Sequence, residues 1–171
     1  ADWLSRHPIL LDGVLSLDFF EAPPTAETLT EELDRALGQA RDFQDVLDIS
    51  RRWNNDKTFQ LGAQILDDRI TVEDAANVLS DVASTVIRAI LPATAQEFER
   101  AHGALLGSEF AVVAFGKLGA GELMVGSDLD LMFVYDMPGE LAESDGPKPL
   151  ASPTYFARLC QRFIGAMNAP T

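Results

Sequence analysis

Two aspartates lie two residues apart, at positions 128 and 130, inside a segment that otherwise has the composition of a β-strand. Side chains alternate along a strand, so Asp128 and Asp130 would share one face. The leucines that follow them, Leu129 and Leu131, would pack on the opposite face. Two like charges so placed repel by ~1 kcal/mol in water and by several kcal/mol at a partly buried site. A fold that keeps this pair needs an offsetting charge, and hard divalent cations, which prefer oxygen ligands, supply one.

A run of β-branched and aromatic residues at 110–115 precedes the aspartates and predicts a strand that is buried on both faces. Glycines interrupt the chain after this strand, and the residues at 129–135 predict a second strand. Glycine lets backbone N–H groups approach phosphate oxygens, and paired carboxylates can hold the metal ions that neutralise a triphosphate. The order of strand, glycine-containing turn and strand with Asp-x-Asp therefore indicates phosphoryl or nucleotidyl transfer.

The residues before this segment, 1–107, have the apolar spacing of helices. The apolar residues between 3 and 15 predict a short first helix that is interrupted near Pro8. Thr25 or Thr28 is positioned to cap the next helix, and Thr71, with an aspartate three residues further on, resembles a capping box.

The remaining apolar stripes predict where individual helices begin and end. A separate helix is predicted around 59–66, and the clearest stripe predicts a helix over 72–91 that Pro92 ends. Another helix is predicted around 95–101, and a final one begins at Ser152, with proline in its first turn. The predicted fold class is α+β, in which an N-terminal helical bundle is followed by a partial sheet and a flanking C-terminal helix.

The charge and cysteine content restrict the partners and the compartment. The chain has 27 acidic and 13 basic residues, a net charge of −14, and polyanion binding needs a basic face, so we expect no nucleic-acid partner. No uninterrupted apolar run approaches the ~20 residues that span a bilayer, and no signal peptide is visible, so no membrane partner is expected. Cys160 is the single cysteine, which fits a cytoplasmic location.

Two glycine-containing motifs carry a resemblance to a known family. The sequences GKLGAGEL at 116–123 and GSDLDLMF at 126–133 resemble glutamine synthetase adenylyltransferases, which belong to the DNA-polymerase-β-like nucleotidyltransferase superfamily. A Gly-Lys pair at 116–117 stands where the superfamily has Gly-Ser or Gly-Gly, and lysine there is typical of this family. The segment RHPILLD at 6–12 resembles the start of the family's C-terminal, adenylylating half.

The resemblance implies a division into a helical region at 1–107 and a partial nucleotidyltransferase core at 108–171. It also implies an ATP-dependent, Mg²⁺-dependent transferase that moves AMP to a tyrosine of glutamine synthetase and so regulates nitrogen assimilation. The implied partners are glutamine synthetase and a PII signalling protein. The implied site consists of the metal ligands Asp128 and Asp130 and the nucleotide-binding residues Gly116, Lys117, Gly126 and Ser127.

Several alternatives stay open at this point. Family enzymes carry a second domain with the same motif that removes AMP by phosphorolysis, and a degenerate core could serve as a docking module. The Ser127 hydroxyl would either bind a phosphate or close its own turn. The basic residues Arg51, Arg52 and Lys57 are interpreted as a solvated helix face.

The family's third carboxylate lies in a later Val-Asp-x-Arg-Leu-Arg-Pro-like segment, and nothing after Asp136 matches that segment. The chain also begins without Met. We therefore expect a fragment that is inactive, or nearly so, by itself.

Overall fold

The computed structural model describes residues 21–136 and 142–168. Its elements are α1 (Ala26–Leu37), α2 (Phe43–Leu66), α3 (Val72–His102), β1 (Glu109–Ala114), α4 (Gly116–Ala120), β2 (Leu131–Asp136) and α5 (Ser152–Asn168). These described residues form five helices and one two-stranded antiparallel sheet, which confirms the α+β class with a C-terminal helix. The helix predicted near Pro8 and the RHPILLD segment lie outside the described residues.

The first and third helices begin at side-chain caps that the local sequence predicts. The Thr28 N–H donates to Thr25 Oγ1 at 3.2 Å, so Thr25 is the cap of α1. At the start of α3, the Asp74 N–H donates to Thr71 Oγ1 at 3.0 Å and the Thr71 hydroxyl donates to Asp74 Oδ2 at 2.8 Å. Such caps satisfy backbone donors that have no partner within the helix. The predicted starts at Thr25 and Thr71 are confirmed.

Two predicted helix breaks are wrong. The residues at 59–66 belong to α2, which runs unbroken over 24 residues, and α3 runs over 31 residues with Pro92 inside it. Proline removes one helical hydrogen bond, and here both Pro92 and Arg88, whose carbonyl loses its donor, are exposed to water. The buried stripe continues from Ile90 past the proline to Thr94 and Phe98, so tertiary packing holds the helix together.

The sheet is buried on one face and open on the other. In the antiparallel register Val112 pairs with Phe133, and both side chains are partly buried. On the outer face Val113 pairs with Met132, with 41% and 50% of their surfaces exposed, and no described element covers them. The prediction that the first strand is buried on both faces is therefore wrong, because only one layer of helices packs against the sheet. The second strand begins at Leu131, two residues later than predicted.

The hydrophobic core joins the helices to the sheet region. One cluster includes Leu29, Leu61 and Leu79 from the first three helices together with Leu118 and Leu123 from the segment between the strands. A second cluster packs α1, α2 and α3 against α5, through side chains that include Ile90 and Phe163. The α3 helix lies at the centre of both clusters. The division at residue 107 stays a prediction.

The length and composition of α3 would by themselves allow it to cross a membrane. Core helices of soluble proteins pass the same test, and 44% of its most apolar window is buried inside this chain. The helix is therefore weak evidence for a membrane span, and the expected absence of a membrane partner stays a prediction.

Candidate functional site

The centre of the site is the junction between β1 and α4. The Phe115 N–H donates to the Asp130 carbonyl at 2.8 Å, which extends the pairing of the two strands by one residue. The chain then turns at Gly116, whose φ of +54° lies in the left-handed region. Glycine adopts this conformation at little cost because it has no Cβ.

The carboxylate of Asp130 lies directly against Gly116. A Cβ built on Gly116 would approach Asp130 Oδ2 more closely than the 3.0 Å that real Cβ atoms respect. A Cβ built on Gly119 would lie 2.6 Å from the Ala114 carbonyl oxygen, so the glycines also allow α4 to pack closely on the end of β1. The structure thus brings the Gly-Lys turn and one of the two predicted metal ligands together.

The two aspartates alternate with apolar side chains that anchor the segment. Asp128 and Asp130 are exposed, whereas Leu129 and Leu131 are partly buried against the hydrophobic core. The backbone at 127–130 precedes β2 rather than forming part of it. The exposure still alternates as in a strand, so both carboxylates are open to solvent and to a ligand.

A second glycine turn precedes the aspartates and contains Gly126, with a φ of +78°. The Ser127 N–H donates to the Met124 carbonyl at 3.0 Å, and the Met124 N–H donates to Ser127 Oγ at 3.2 Å. The hydroxyl of Ser127 therefore closes its own turn, one of the two roles considered for it. A hydroxyl that accepts one bond still has a proton to donate, so this contact leaves phosphate binding possible. The turn is tied to α3, because the Leu123 N–H donates to Ser80 Oγ at 3.2 Å.

The last predicted nucleotide-binding residue, Lys117, is the second residue of α4 and is exposed. Its backbone carbonyl accepts from the Glu122 N–H at 2.7 Å, and this bond closes the short helix. The side chain lies on the surface. Lys117 therefore directly follows the turn at Gly116, and the Asp130 carboxylate lies against that turn.

The available metal donors are few. Within residues 21–136 and 142–168, no group of three or more His, Cys, Asp or Glu side chains is arranged to hold a metal ion. The candidate donor set is the pair Asp128 and Asp130, whose carboxylate oxygens are the ligand type that Mg²⁺ prefers.

A groove of about 440 Å³ lies beside the Gly126 turn, and the sequence analysis missed it. It is lined by polar residues of α2, by apolar residues of α3, by the segment at 123–127, and by Leu129 and Met167. The missed signal was a set of polar residues at helical spacing: Arg51, Asn54, Asn55 and Thr58.

The interpretation of the basic residues of α2 as a solvated face is wrong for two of the three. The Arg51 side chain is 11% exposed and its guanidinium lies 3.0 Å from Asp48 Oδ1, and Lys57 forms an ion pair with Glu32. Both cations are held within the helical bundle by partners on neighbouring turns or helices.

Known proteins resemble this chain along its whole length. The family described as "Glutamate-ammonia ligase adenylyltransferase" matches residues 1–171. Proteins named "Bifunctional glutamine synthetase adenylyltransferase/adenylyl-removing enzyme" are 41% identical in Brucella suis biovar 1 (strain 1330), 39% in Rhizobium meliloti (strain 1021) and 35% in Bradyrhizobium sp. (strain ORS 278). Each match covers 100% of this chain and 17% of the relative, so the chain spans a small part of these proteins. The resemblance found in the two glycine-containing motifs is confirmed, and the chain belongs to the glutamate–ammonia ligase adenylyltransferase family.

Proposed function

We propose that this chain carries the metal- and nucleotide-binding part of a domain that transfers AMP from ATP to a tyrosine hydroxyl of glutamine synthetase. The observation that carries the proposal is the position of the Asp130 carboxylate against Gly116, which joins an acidic pair to a turn able to approach phosphates. The names of the relatives, which include both adenylyl transfer and adenylyl removal, support the class of reaction.

In this proposal, Asp128 and Asp130 hold Mg²⁺, which when bound neutralises the charge of the triphosphate. The turns at Gly116 and Gly126 approach the phosphate oxygens, with Lys117 and the Ser127 hydroxyl beside them. The tyrosine oxygen forms a bond to the α-phosphorus, the bond to pyrophosphate breaks, and the phenolic proton passes to solvent. Such a displacement depends on position and charge and needs no protein nucleophile.

The second candidate is the reverse-acting domain, in which inorganic phosphate attacks adenylylated glutamine synthetase to release ADP and the unmodified enzyme. The same acidic pair and turns would serve it. The RHPILLD segment, outside the described residues, favours the adding domain. A degenerate core that serves only for docking or regulation is the third candidate, and the intact pair Asp128 and Asp130 argues against it.

The proposal includes ATP as substrate, Mg²⁺ as cofactor, glutamine synthetase and a PII protein as partners, and a cytoplasmic location. It includes neither nucleic acid nor a membrane. The described residues supply two candidate metal ligands, Asp128 and Asp130. We therefore expect the 171 residues alone to bind Mg-ATP and to transfer little or no AMP. Robust AMP transfer by the isolated chain would contradict that expectation.

Calorimetric titration of Mg-ATP into the chain tests the site. Asp128→Asn keeps the shape of the side chain and removes its charge, so we expect Mg-ATP binding to weaken at least roughly tenfold, a change of about 1.4 kcal/mol. The matched control is Asp68→Asn, at an exposed position with a φ of 54° that asparagine tolerates well. Unchanged binding in the Asp128 variant would remove Asp128 from the site.

The direction of the reaction needs a full-length protein that contains this chain. One reaction holds labelled ATP and unmodified glutamine synthetase, and the other holds adenylylated glutamine synthetase and phosphate. In a protein whose other domain is inactivated at its own Asp-x-Asp, only the first mixture should turn over. Turnover of the second mixture alone would assign the chain to adenylyl removal.

A further inference from the structure

The side of the chain that carries the acidic pair continues as an apolar surface. Asp128 and Asp130 are exposed, and the alternate positions that follow them, Met132 and Val134, are exposed as well. The intervening side chains are partly buried against the core: Leu129, Leu131 and Phe133. Because side chains alternate along an extended chain, the two carboxylates and the two apolar side chains share one face.

The other strand of the sheet completes this surface. Val113 pairs with Met132, and Ala111 pairs with Val134. The hydrogen bond from the Phe115 N–H to the carbonyl of the second aspartate continues the same register by one pair. Paired side chains on one face of an antiparallel sheet lie ~5 Å apart, so these residues are contiguous. They form the outer strip: Ala111, Val113, Phe115, Met132 and Val134.

The outer strip is apolar and open to solvent. Its four larger side chains are 41–50% exposed, and no helix or strand within residues 21–136 and 142–168 covers them. A contiguous exposed apolar surface next to charged groups is typical of an interaction site. Phenylalanine and methionine, which the strip contains, are also enriched where proteins meet. The strip therefore has the composition of a docking surface.

The dimensions of the outer strip favour a polypeptide over a nucleobase. Four residues separate Asp130 from Val134, so the two ends of the strip lie about 14 Å apart along the strand. One heterocycle cannot cover that length. Sites for small ligands are also concave, whereas this strip is the open face of a sheet and does not line the groove beside the Gly126 turn. A protein partner can cover such a surface with several apolar side chains.

We infer that the outer strip docks the acceptor polypeptide, which is the segment of the protein substrate that carries the tyrosine. This inference rests on the proposed nucleotidyl transfer, which it extends from the nucleotide to the protein substrate. The tyrosine oxygen must reach the phosphorus of a nucleotide held at Asp128 and Asp130, so the acceptor segment must lie on the surface beside this pair.

The outer strip begins at that point. Met132 follows Asp130 on the same face at a distance of about 7 Å, and Phe115 pairs with Asp130 across the sheet. Because the strip carries no charge, the acceptor side chains that contact it are apolar residues next to the tyrosine. The same contacts serve either direction of the reaction, since the modified and unmodified acceptor segments differ only at the tyrosine oxygen.

The test replaces three residues of the strip in a full-length protein that contains this chain. The triple variant is Val113→Thr, Met132→Gln, Val134→Thr, in which each new side chain is polar and similar in shape, and threonine suits a strand. We expect kcat/KM for the form of glutamine synthetase that the domain accepts to fall at least roughly tenfold, because the new polar groups lose water in the complex. The KM for ATP should be unchanged.

The matched control removes exposed apolar surface elsewhere. Leu66→Gln, Leu106→Gln changes two leucines outside the strip that are 88% and 75% exposed, more than any strip residue. This double variant should keep the wild-type kcat/KM for glutamine synthetase. Circular dichroism melting curves, recorded for the full-length variants and for the 171-residue chain with the same changes, establish that each variant is folded.

The other possible occupants of the strip give different results, and each overturns the inference. A raised KM for ATP in the triple variant would assign the strip to the nucleotide. A melting temperature that falls only in the full-length triple variant would show that another part of that protein covers the strip. A dimer of the 171-residue chain that the triple variant loses would assign the strip to a second copy.

The outcomes also separate the inference from the function on which it rests. If Asp128→Asn weakens Mg-ATP binding while the triple variant keeps the wild-type kcat/KM for glutamine synthetase, the inference fails alone. If the wild-type chain binds Mg-ATP no better than the Asp128 variant does, the proposed site and the inference fail together.

Discussion

The carboxylate of Asp130 occupies the space beside Gly116 that the Cβ of any other residue would need. The contact is held by the backbone, because the Phe115 N–H donates to the Asp130 carbonyl and so fixes the two chain segments side by side. The glycine of the first motif and the second aspartate of the second motif are therefore parts of one arrangement, although 14 positions separate them in the sequence.

The first prediction is that Gly116→Ala displaces Asp130 and impairs ligand binding. The φ of +54° costs an alanine ~1–2 kcal/mol, and its methyl group would collide with the carboxylate. We expect Mg-ATP binding to weaken by more than roughly tenfold, about 1.4 kcal/mol, in calorimetric titrations.

Gly121→Ala is the matched control, since Gly121 has a φ of +74° but its nearest neighbour is Asn77 Oδ1, 3.2 Å from a built Cβ. It should lose a similar ~1–2 kcal/mol of stability and keep its affinity for Mg-ATP. Equal loss of affinity in both variants would show that strain, rather than the displaced carboxylate, is responsible.

The second prediction concerns ligand-induced stability. A ligand at 100 times its dissociation constant stabilises the native state by about 2.7 kcal/mol, so Mg-ATP should raise the melting temperature of the wild-type chain. Asp130→Asn should remove that increase, as should chelation of Mg²⁺ with EDTA. The metal-free variant should be at least as stable as the metal-free wild type, because the repulsion between Asp128 and Asp130 is gone. A thermal shift that survives both treatments would place the nucleotide somewhere other than this acidic pair.

Local signals in the sequence predicted local features well. Thr71 and Asp74 form their reciprocal contact because a capping box needs only residues of one turn. The exposure of residues 128–131 alternates as predicted, although β2 begins only at Leu131. The sequence placed Gly116 and Asp130 in one site but did not predict that they touch. The close approach depends on the positive φ of Gly116, which no sequence pattern reports directly.

Features that depend on tertiary packing were missed or mispredicted. Pro92 predicted a helix end because proline disturbs the backbone locally. The helix continues because Ile90 and Phe98 pack against residues of other elements, and a local sequence pattern does not report such contacts. The groove was missed for a similar reason, because the polar face of α2 looks like a solvated surface until the Gly126 turn is placed beside it.

The third prediction follows from the uninterrupted course of α3. Replacing Pro92 with alanine restores a donor to the Arg88 carbonyl and removes the clash of the ring, which together cost a helix interior ~3 kcal/mol. Because Pro92 is exposed and the helix is already formed, we expect Pro92→Ala to stabilise the chain by roughly 1–3 kcal/mol in urea denaturation. A destabilised or unchanged variant would indicate that the helix is broken at this residue in solution.

The fourth prediction tests whether α5 unfolds together with the helices that precede the sheet. Phe163 is fully buried between α3 and the sheet, and its ring meets Phe133 edge to face at 5.9 Å. We expect Phe163→Ala to cost ~3–5 kcal/mol in a single cooperative transition. Its neighbour Ile164, which is 46% exposed, provides the control, and Ile164→Ala should cost well under that amount. Two separate transitions in the wild-type chain would instead favour independent helical and sheet-containing units.

The fifth prediction concerns alkaline pH. Burial of Tyr155 raises the pKa of its phenol to about 12, assisted by the negative charges of Glu99 and Asp145. In the unfolded chain a tyrosine has a pKa of about 10, so between these values the unfolded state loses a proton that the folded state retains. The contribution of Tyr155 to stability is therefore complete below pH ~10 and is lost as the pH rises through the pKa of the folded state.

Tyr155→Phe removes this titration while keeping the ring, which packs edge to face with Phe98 at 5.0 Å and with Phe156 at 5.4 Å. The free energy of unfolding, measured by denaturant titration between pH 9 and 12, should fall less steeply in this variant than in the wild type. The two declines should differ by on the order of 2 kcal/mol over the range. Tyr135→Phe, at a residue that is 41% exposed, leaves Tyr155 in place and should retain the steep decline. Phenylalanine has no hydroxyl that can titrate. Parallel declines in the wild type and in Tyr155→Phe would therefore mean that the buried phenol is not the group that limits stability at alkaline pH.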